Sequence, residues 1–195
     1  MIGIRFKHLV LLPLCAIAVF AQDRPIDVHR STMTVHVGKT GLLSVAGHEH
    51  WVNVPISSGV LNDSANPRIE FQVEAARMEV KPDPKVDAKT TADVQKAMQD
   101  NVLEPAKYPQ ISFRSSHIEK QGEGQWQVTG ELSLHGAMKS ISLSVKRDGE
   151  AYTGHTVIRQ TDFGIKPVTA AAGAVKVKNE LEIDFRVFPE ESPRK

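Results

Sequence analysis

Residues 175–187 read VKVKNELEIDFRV. Val175, Val177, Leu181, Ile183, Phe185 and Val187 fall on one side of a two-residue period, with Asn179 alone interrupting the row. Lys176, Lys178, Glu180, Glu182, Asp184 and Arg186 fall on the other side. A helix would scatter both rows around its axis, whereas a strand turns successive side chains to opposite faces. The segment therefore reads as a long strand with one dry face and one wet face.

The same period recurs upstream. Ile69, Phe71 and Val73 alternate with Glu70, Gln72 and Glu74, and Ile111 and Phe113 with Ser112 and Arg114. Trp126, Val128, Leu132 and Leu134 alternate with Gln127, Thr129, Glu131 and Ser133, and Ile141, Leu143 and Val145 with Ser142, Ser144 and Lys146. Strands are expected over about 27–37, 42–54, 57–62, 68–79, 110–119, 125–135, 138–147, 151–160 and 174–188. Turn signals separate them at Gly38 to Gly41, Asn62 to Pro67, Gly122 to Gly124, Gly136 and Ala170 to Gly173. Asp148-Gly149 reads as the central pair of a hairpin turn, because both residues tolerate positive φ. Ala92 to Leu103 breaks the pattern: Val94, Ala97, Met98 and Val102 recur at helical spacing, Thr90 or Thr91 is placed to cap, and Pro105 ends the run.

One wet and one dry face per strand is the signature of an antiparallel sheet. Many such strands with one short helix predict an all-β fold. An antiparallel barrel of about eight strands removes the exposed edges that would otherwise aggregate. A β-sandwich is the alternative. The chain has 195 residues, 41% hydrophobic and 24% charged, which suits one ordinary domain and excludes disorder. The formal charge is +1 and no run of five like charges occurs, so nucleic acid is not an expected partner.

Residues 1–21 read as a secretory signal peptide. Arg5, Lys7 and His8 precede an apolar run from Leu9 to Val19 that is too short to span a bilayer, and Val19 and Ala21 suit a cut after Ala21. An uncleaved anchor is the alternative. Cys15 follows Leu14 rather than the small residue that a lipoprotein site needs. Removal of the leader takes two of 24 basic residues, none of 23 acidic ones and the single Cys, leaving a domain over 22–195 with charge −1 and no thiol. The expected destination is the periplasm, in soluble form and without disulfides.

The inner rows expected to face the lumen are Ile69, Phe71, Val73, Ile111, Phe113, Trp126, Val128, Leu132, Leu134, Ile141, Leu143, Val145, Val177, Leu181, Ile183 and Phe185. A barrel of about eight strands either packs its interior or holds one small ligand. Alternation alone leaves both open.

Three stretches narrow the choice. EPAKYPQISFRS over 104–115, VTGELSLHGAMK over 128–139 and RQTDFGI over 159–165 follow in order. Together they resemble the YceI-like, polyisoprenoid-binding family of exported bacterial proteins, across about residues 26–188. The resemblance implies a lipocalin-like barrel whose tunnel holds an isoprenoid chain, such as a quinone or prenyl lipid, with no catalytic residue and no cofactor. Transient contact with a membrane or membrane protein would then load and unload it. Where many members carry an aromatic-rich second strand, this chain has Gly47-His48-Glu49-His50-Trp51.

His48 and His50 carry the sharpest alternative. On a strand, residues two apart share a side, so both imidazoles could meet one metal ion, with His36 or His117 as third ligand. Alternatively the pair sits at the tunnel mouth as candidate headgroup contacts, for a quinone or a pyrophosphate. A ligand-free interaction module is the remaining reading. His29, His135 and His155 read as surface or locally bonded residues, and Arg159 with Asp162 as the ion pair or turn that holds a corner. No G-x-S-x-G elbow, P-loop or G-x-G-x-x-G fingerprint occurs.

Overall fold

The computed structural model describes residues 23–41, 48–64, 66–170 and 175–191. The leader expected over 1–21, the first half of the strand expected over 42–54 and most of the turn expected over 170–173 lie outside the described residues. Among the described residues twelve strands form one sheet: β1 (Arg24–Pro25), β2 (Thr32–Thr40), β3 (His50–Asn53), β4 (Ile56–Asn62), β5 (Arg68–Glu74), β6 (Glu79–Val80), β7 (Gln110–Gly122), β8 (Gln125–Leu134), β9 (Ala137–Asp148), β10 (Ala151–Arg159), β11 (Thr169–Ala170) and β12 (Val175–Val187). Their order is β1-β4-β5-β7-β8-β9-β10-β12-β2-β3-β6, with β11 on β12, and every pairing is antiparallel.

The curl into a barrel follows from one short piece of chain. β3 pairs with β2 and β4 with β5, at opposite ends of the order, yet only Val54 and Pro55 separate them. A second seam comes from the N-terminal segment. Ile26 N donates to Gly59 O at 2.9 Å, while Asp27 N donates to Phe188 O at 2.8 Å. Counting β3 and β4 as one bent course and setting aside the two-residue strands leaves eight long courses, the expected number.

Local differences from the expectation have physical causes. The strand expected over 68–79 stops at Glu74, because Ala75–Arg77 form a single 3-10 turn before β6 re-pairs with β3. The helix starts earlier than expected. α1 runs Ala88–Ala97, and its cap is Asp87 rather than Thr90 or Thr91. The Asp87 carboxylate accepts from Thr90 N at 2.9 Å and from Thr90 Oγ1 at 2.6 Å. Met98–Leu103 continue as a wider π turn, ended by Glu104 in the left-handed region at φ 45°.

At the β9–β10 hairpin Asp148 pairs with Ala151, so the central residues are Gly149-Glu150, one place later than expected. Gly149 at φ 60° supplies the positive angle that a tight hairpin needs at its first central position.

Cross-strand packing keeps the interior open. Gly59 pairs with Phe71 and Gly154 with Phe185, while Gly130 lies diagonal to Phe113. A methyl group on Gly130 would come within 2.4 Å of the Phe113 ring, and one on Gly154 within 2.3 Å of the Phe185 ring. The end of each ring therefore sits over the bare backbone of a neighbouring strand. Gly154→Ala is expected to lower unfolding free energy by about 1–3 kcal/mol, because the ring and Ser144 O must both shift. Gly122→Ala meets open space and should stay within about 0.5 kcal/mol of wild type. Urea denaturation checks both, and equal effects would contradict the packing described.

Candidate functional site

The inner rows enclose a cavity of about 430 Å³ that runs through the barrel. Every residue expected to face the lumen lines it: Ile69, Phe71 and Val73 of β5; Ile111 and Phe113 of β7; Trp126, Val128, Leu132 and Leu134 of β8; Ile141, Leu143 and Val145 of β9; and Val177, Leu181, Ile183 and Phe185 of β12. His48 and His50 line it as well. The size lies within the range of small-molecule pockets, roughly 300–1,000 Å³.

Sequence reasoning missed part of the wall. Met33, Val35 and Val37 of β2, Val52 and Val54 around β3, and Tyr152 and Ile158 of β10 also line the cavity, and their two-residue spacing carries the signal. Ile118 is subtler. A register shift between Ser115 and His117 of β7 changes which side faces inward, so strict alternation from Phe113 would miss it.

One end is roofed by the helix. Val94, Ala97, Met98 and Val102, the apolar stripe that helical spacing picked out, line the cavity, and Leu103 joins them. Gln95 fastens the roof to the wall: its Oε1 accepts from Val80 N at 2.7 Å and its Nε2 donates to Met78 O at 3.0 Å. At the roof's far end His135 Nε2 lies 2.8 Å from Glu104 Oε2, and the His135 ring packs on Tyr108 with centroids 4.2 Å apart. His135 is thus a corner residue at φ 51°, in the β8–β9 turn.

Between the ends, the polar lining side chains bond the backbone of the wall. Thr156 Oγ1 donates to Ser142 O at 3.3 Å, and Gln160 Nε2 donates to Lys178 O at 2.7 Å. Polar side chains gather at the ends. Near the β4–β5 turn are Asn62, Asp63 and Arg68, with Tyr152 beneath them. The Tyr152 hydroxyl donates to the Asp63 carboxylate. Burial first, and this hydrogen bond second, push its pKa up to about 12. Arg68 is bridged to Asp23. At the opposite end are Lys39, His48, His50 and Lys176.

The structure does not bring a third histidine to His48 and His50. His36 alternates with the inward Val35 and Val37 and faces out, stacked on Trp51 at 4.9 Å, with Glu49 Oε2 at 3.1 Å from one ring nitrogen and Glu182 Oε2 at 3.3 Å from the other. His117 is exposed on β7, opposite Thr129. Among the described residues no group of three His, Cys, Asp or Glu is placed to hold a metal ion. The corner at 159–165 is held differently than expected. Arg159 Nε faces Glu180 Oε1 at 3.6 Å rather than Asp162, while Thr161 exchanges two hydrogen bonds with Asn179. His155 pairs with Asp184 at 2.9 Å on the outer face, and among the described residues no helix is long and apolar enough to cross a membrane.

Comparison with known proteins agrees with this architecture. The model of the YceI-like domain matches residues 25–188. A UPF0312 protein of Pseudomonas syringae pv. tomato is 35% identical over 93 residues, covering 43% of this chain and 46% of that protein. The chain thus spans about half the length of the curated relatives it matches. Burkholderia cenocepacia BcnA superposes with a TM-score of 0.58 at 16% identity, over 85% of this chain and 99% of the other. A polyisoprenoid binding domain from Saccharophagus degradans, implicated in plant cell wall breakdown, superposes with a TM-score of 0.57 at 15% identity, over 86% and 98%. At such identities the superpositions establish the shared fold.

Two predictions follow from the two ends. Tyr152→Phe leaves the Asp63 carboxylate without its donor and should cost about 1–2 kcal/mol in urea denaturation; no loss would mean that the bond is not formed. His50 is held below the ordinary 6.5 by burial and then by His48, against the pull of Asp83. Its folded form binds fewer protons than its unfolded form, so its contribution to stability is full above pH 6.5 and is lost as pH falls below it. An NMR titration should place the His50 midpoint below 6.5, and a midpoint above that value would contradict the burial.

Proposed function

The chain belongs to the YceI-like family, and on that premise we propose that it is a non-catalytic carrier that holds an isoprenoid or similar long apolar chain inside its barrel. The observation that carries this reading is the cavity itself: predominantly apolar along its length, with its charged side chains at its two ends. The superposition on a polyisoprenoid binding domain supports the same class of ligand. We propose further that residues 1–21 direct export, with the periplasm as destination, and that the carrier meets a membrane transiently to load.

Burial supplies the affinity. A methylene removed from water contributes about 0.8 kcal/mol. A five-carbon prenyl unit therefore contributes roughly 3–4 kcal/mol before ordering costs, so a few units suffice without any hydrogen bond. Length and width select the ligand, and no cofactor is called for. A strand of about 11 residues at about 3.3 Å each, tilted by about 40°, gives a barrel roughly 28 Å high, room for several units end to end.

Trp126 lines the cavity, whereas the other tryptophan, Trp51, is on the outer face. In the Trp51→Phe protein, titration with geranylgeraniol should shift or quench the Trp126 emission with saturation near one equivalent. Leu143→Trp narrows the lumen and should weaken that binding at least about tenfold while the circular dichroism stays unchanged. A flat titration in the folded Trp51→Phe protein would overturn the carrier reading.

A further inference from the structure

β9 and β10 are neighbours in the wall, yet they share only part of their length. Their pairing starts at the hairpin, Asp148 with Ala151, and ends at Ser144 with His155. Beyond that rung β9 continues back to Ala137 alongside β8, and β10 continues to Arg159 alongside β12. Each strand keeps its partner on the far side while the two part from each other. In a tight hairpin the closing pair exchanges hydrogen bonds, and such rungs recur at every second residue. The rung due after Ser144–His155 is therefore Ser142–Val157, where pairing has stopped. Thr156 stands in its place: its Oγ1 donates to Ser142 O at 3.3 Å. Past Arg159 the wall closes again at the corner over 160–163, where His135 Nδ1 lies 3.3 Å from Phe163 O. What lies between is a slit along residues 156–159 of β10, roughly 13 Å at about 3.3 Å per residue.

The slit borders the cavity. Ile141 and Leu143 of β9 and Thr156 and Ile158 of β10 line the lumen along it. On the outer surface its lips are Ser140 and Ser142 on one side and Val157 on the other. Val157 is 49% exposed, and Met138, further along the same lip as the serines, is 61% exposed. These are two of the three large apolar side chains left exposed among the described residues; the third, Trp51, stacks on His36. Residues 140–143 and 156–158 include no charged side chain. The ends of the cavity do: Asp63 and Arg68 line one and Lys176 the other. An apolar chain leaving end-on must pass ionised groups that keep their water, whereas the slit presents aliphatic carbon, hydroxyls and peptide groups.

We propose that this slit is the door of the barrel: the apolar chain enters and leaves sideways between β9 and β10, which part at Thr156 and Ser142 and close again behind it. The inference rests on the carrier reading and goes beyond it by naming the route. Parting a fully paired seam such as β8–β9, bonded from Gln125–Lys146 to Leu134–Ala137, breaks a long ladder. Opening the slit breaks the Thr156 bond and separates aliphatic side chains, a local event that leaves both flanking ladders intact.

The test bars the slit. Ser142→Cys and Val157→Cys place two thiols across it on the outer surface, and the chain's single natural cysteine, Cys15, is changed to Ser. A control bar, Gln127→Cys with Ser144→Cys, joins directly opposed residues of the β8–β9 seam. Both are made in the Trp51→Phe protein, loaded with geranylgeraniol in reductant, oxidised, and mixed with excess phosphatidylcholine vesicles while Trp126 emission follows release. The disulfide across the slit should slow release at least about tenfold, reductant should restore it, and the control disulfide should leave it within about twofold. Equal release from the oxidised and reduced forms would overturn the door and leave the carrier reading standing, and so would equal slowing by the control disulfide. Failure of the folded Trp51→Phe protein itself to bind geranylgeraniol would overturn both readings. Hydrogen exchange tests the slit in the unaltered protein. The amides of Ser142 and Val157 should exchange at least about tenfold faster than those of Ser144 and His155. Equal protection would mean that the rung is made, and the door would be lost.

Discussion

A barrel lined with large apolar side chains stays hollow only if those side chains have somewhere else to go. Here the outlet is glycine. Phe113 lies over Gly130 and Phe185 over Gly154, in contacts so close that no Cβ could stand in the way. Phe71 pairs with Gly59 and stacks on Phe113 at 5.6 Å. The Phe113 and Phe185 rings each cover a stretch of backbone that a glycine would otherwise leave bare, a known device for supporting glycine in sheets. The hydrophobic effect that closes the barrel and the vacancy at its centre therefore coexist.

The rest of the architecture follows from that hollow. A lumen needs a roof, and α1 with its π turn supplies one, seated by Gln95 and Gln99 on the backbone of 75–80 and pinned at the far end by Glu104 and His135. A dry lumen tolerates polar groups only where they are satisfied, and Thr156 and Gln160 each bond a carbonyl of a neighbouring strand. The remaining polarity is pushed to the two rims, where it can face water or a headgroup.

Much of this was legible in the sequence. Period two gave the strands, their inner rows and the barrel, because burial on one face acts on every second residue. What escaped is what breaks that period. Asn179 looked like a flaw in the row of 175–187; it sits at a register shift in β12 and binds Thr161, which docks the corner over 160–163. Lys39 falls in the turn expected over Gly38 to Gly41, yet β2 runs on to Thr40 and the period that places Val37 inside carries Lys39 to the cavity's edge. The glycine partners of Phe113 and Phe185 went unread because strand pairing sets them, and pairing register is not visible in one strand at a time. Asp87 was missed as a cap because Thr90 and Thr91 stand closer to the helical stripe; Thr90 instead donates to it.

The central claim is that the middle of this barrel is empty of protein and fit for an apolar chain. The most direct measurement is organic extraction of the protein purified from its own host, followed by mass spectrometry of the extract. The account predicts about one equivalent of a long-chain lipid, reduced in a Leu143→Trp protein of unchanged fold. A folded wild-type protein that yields no lipid, and takes none up when offered host lipids, would contradict it.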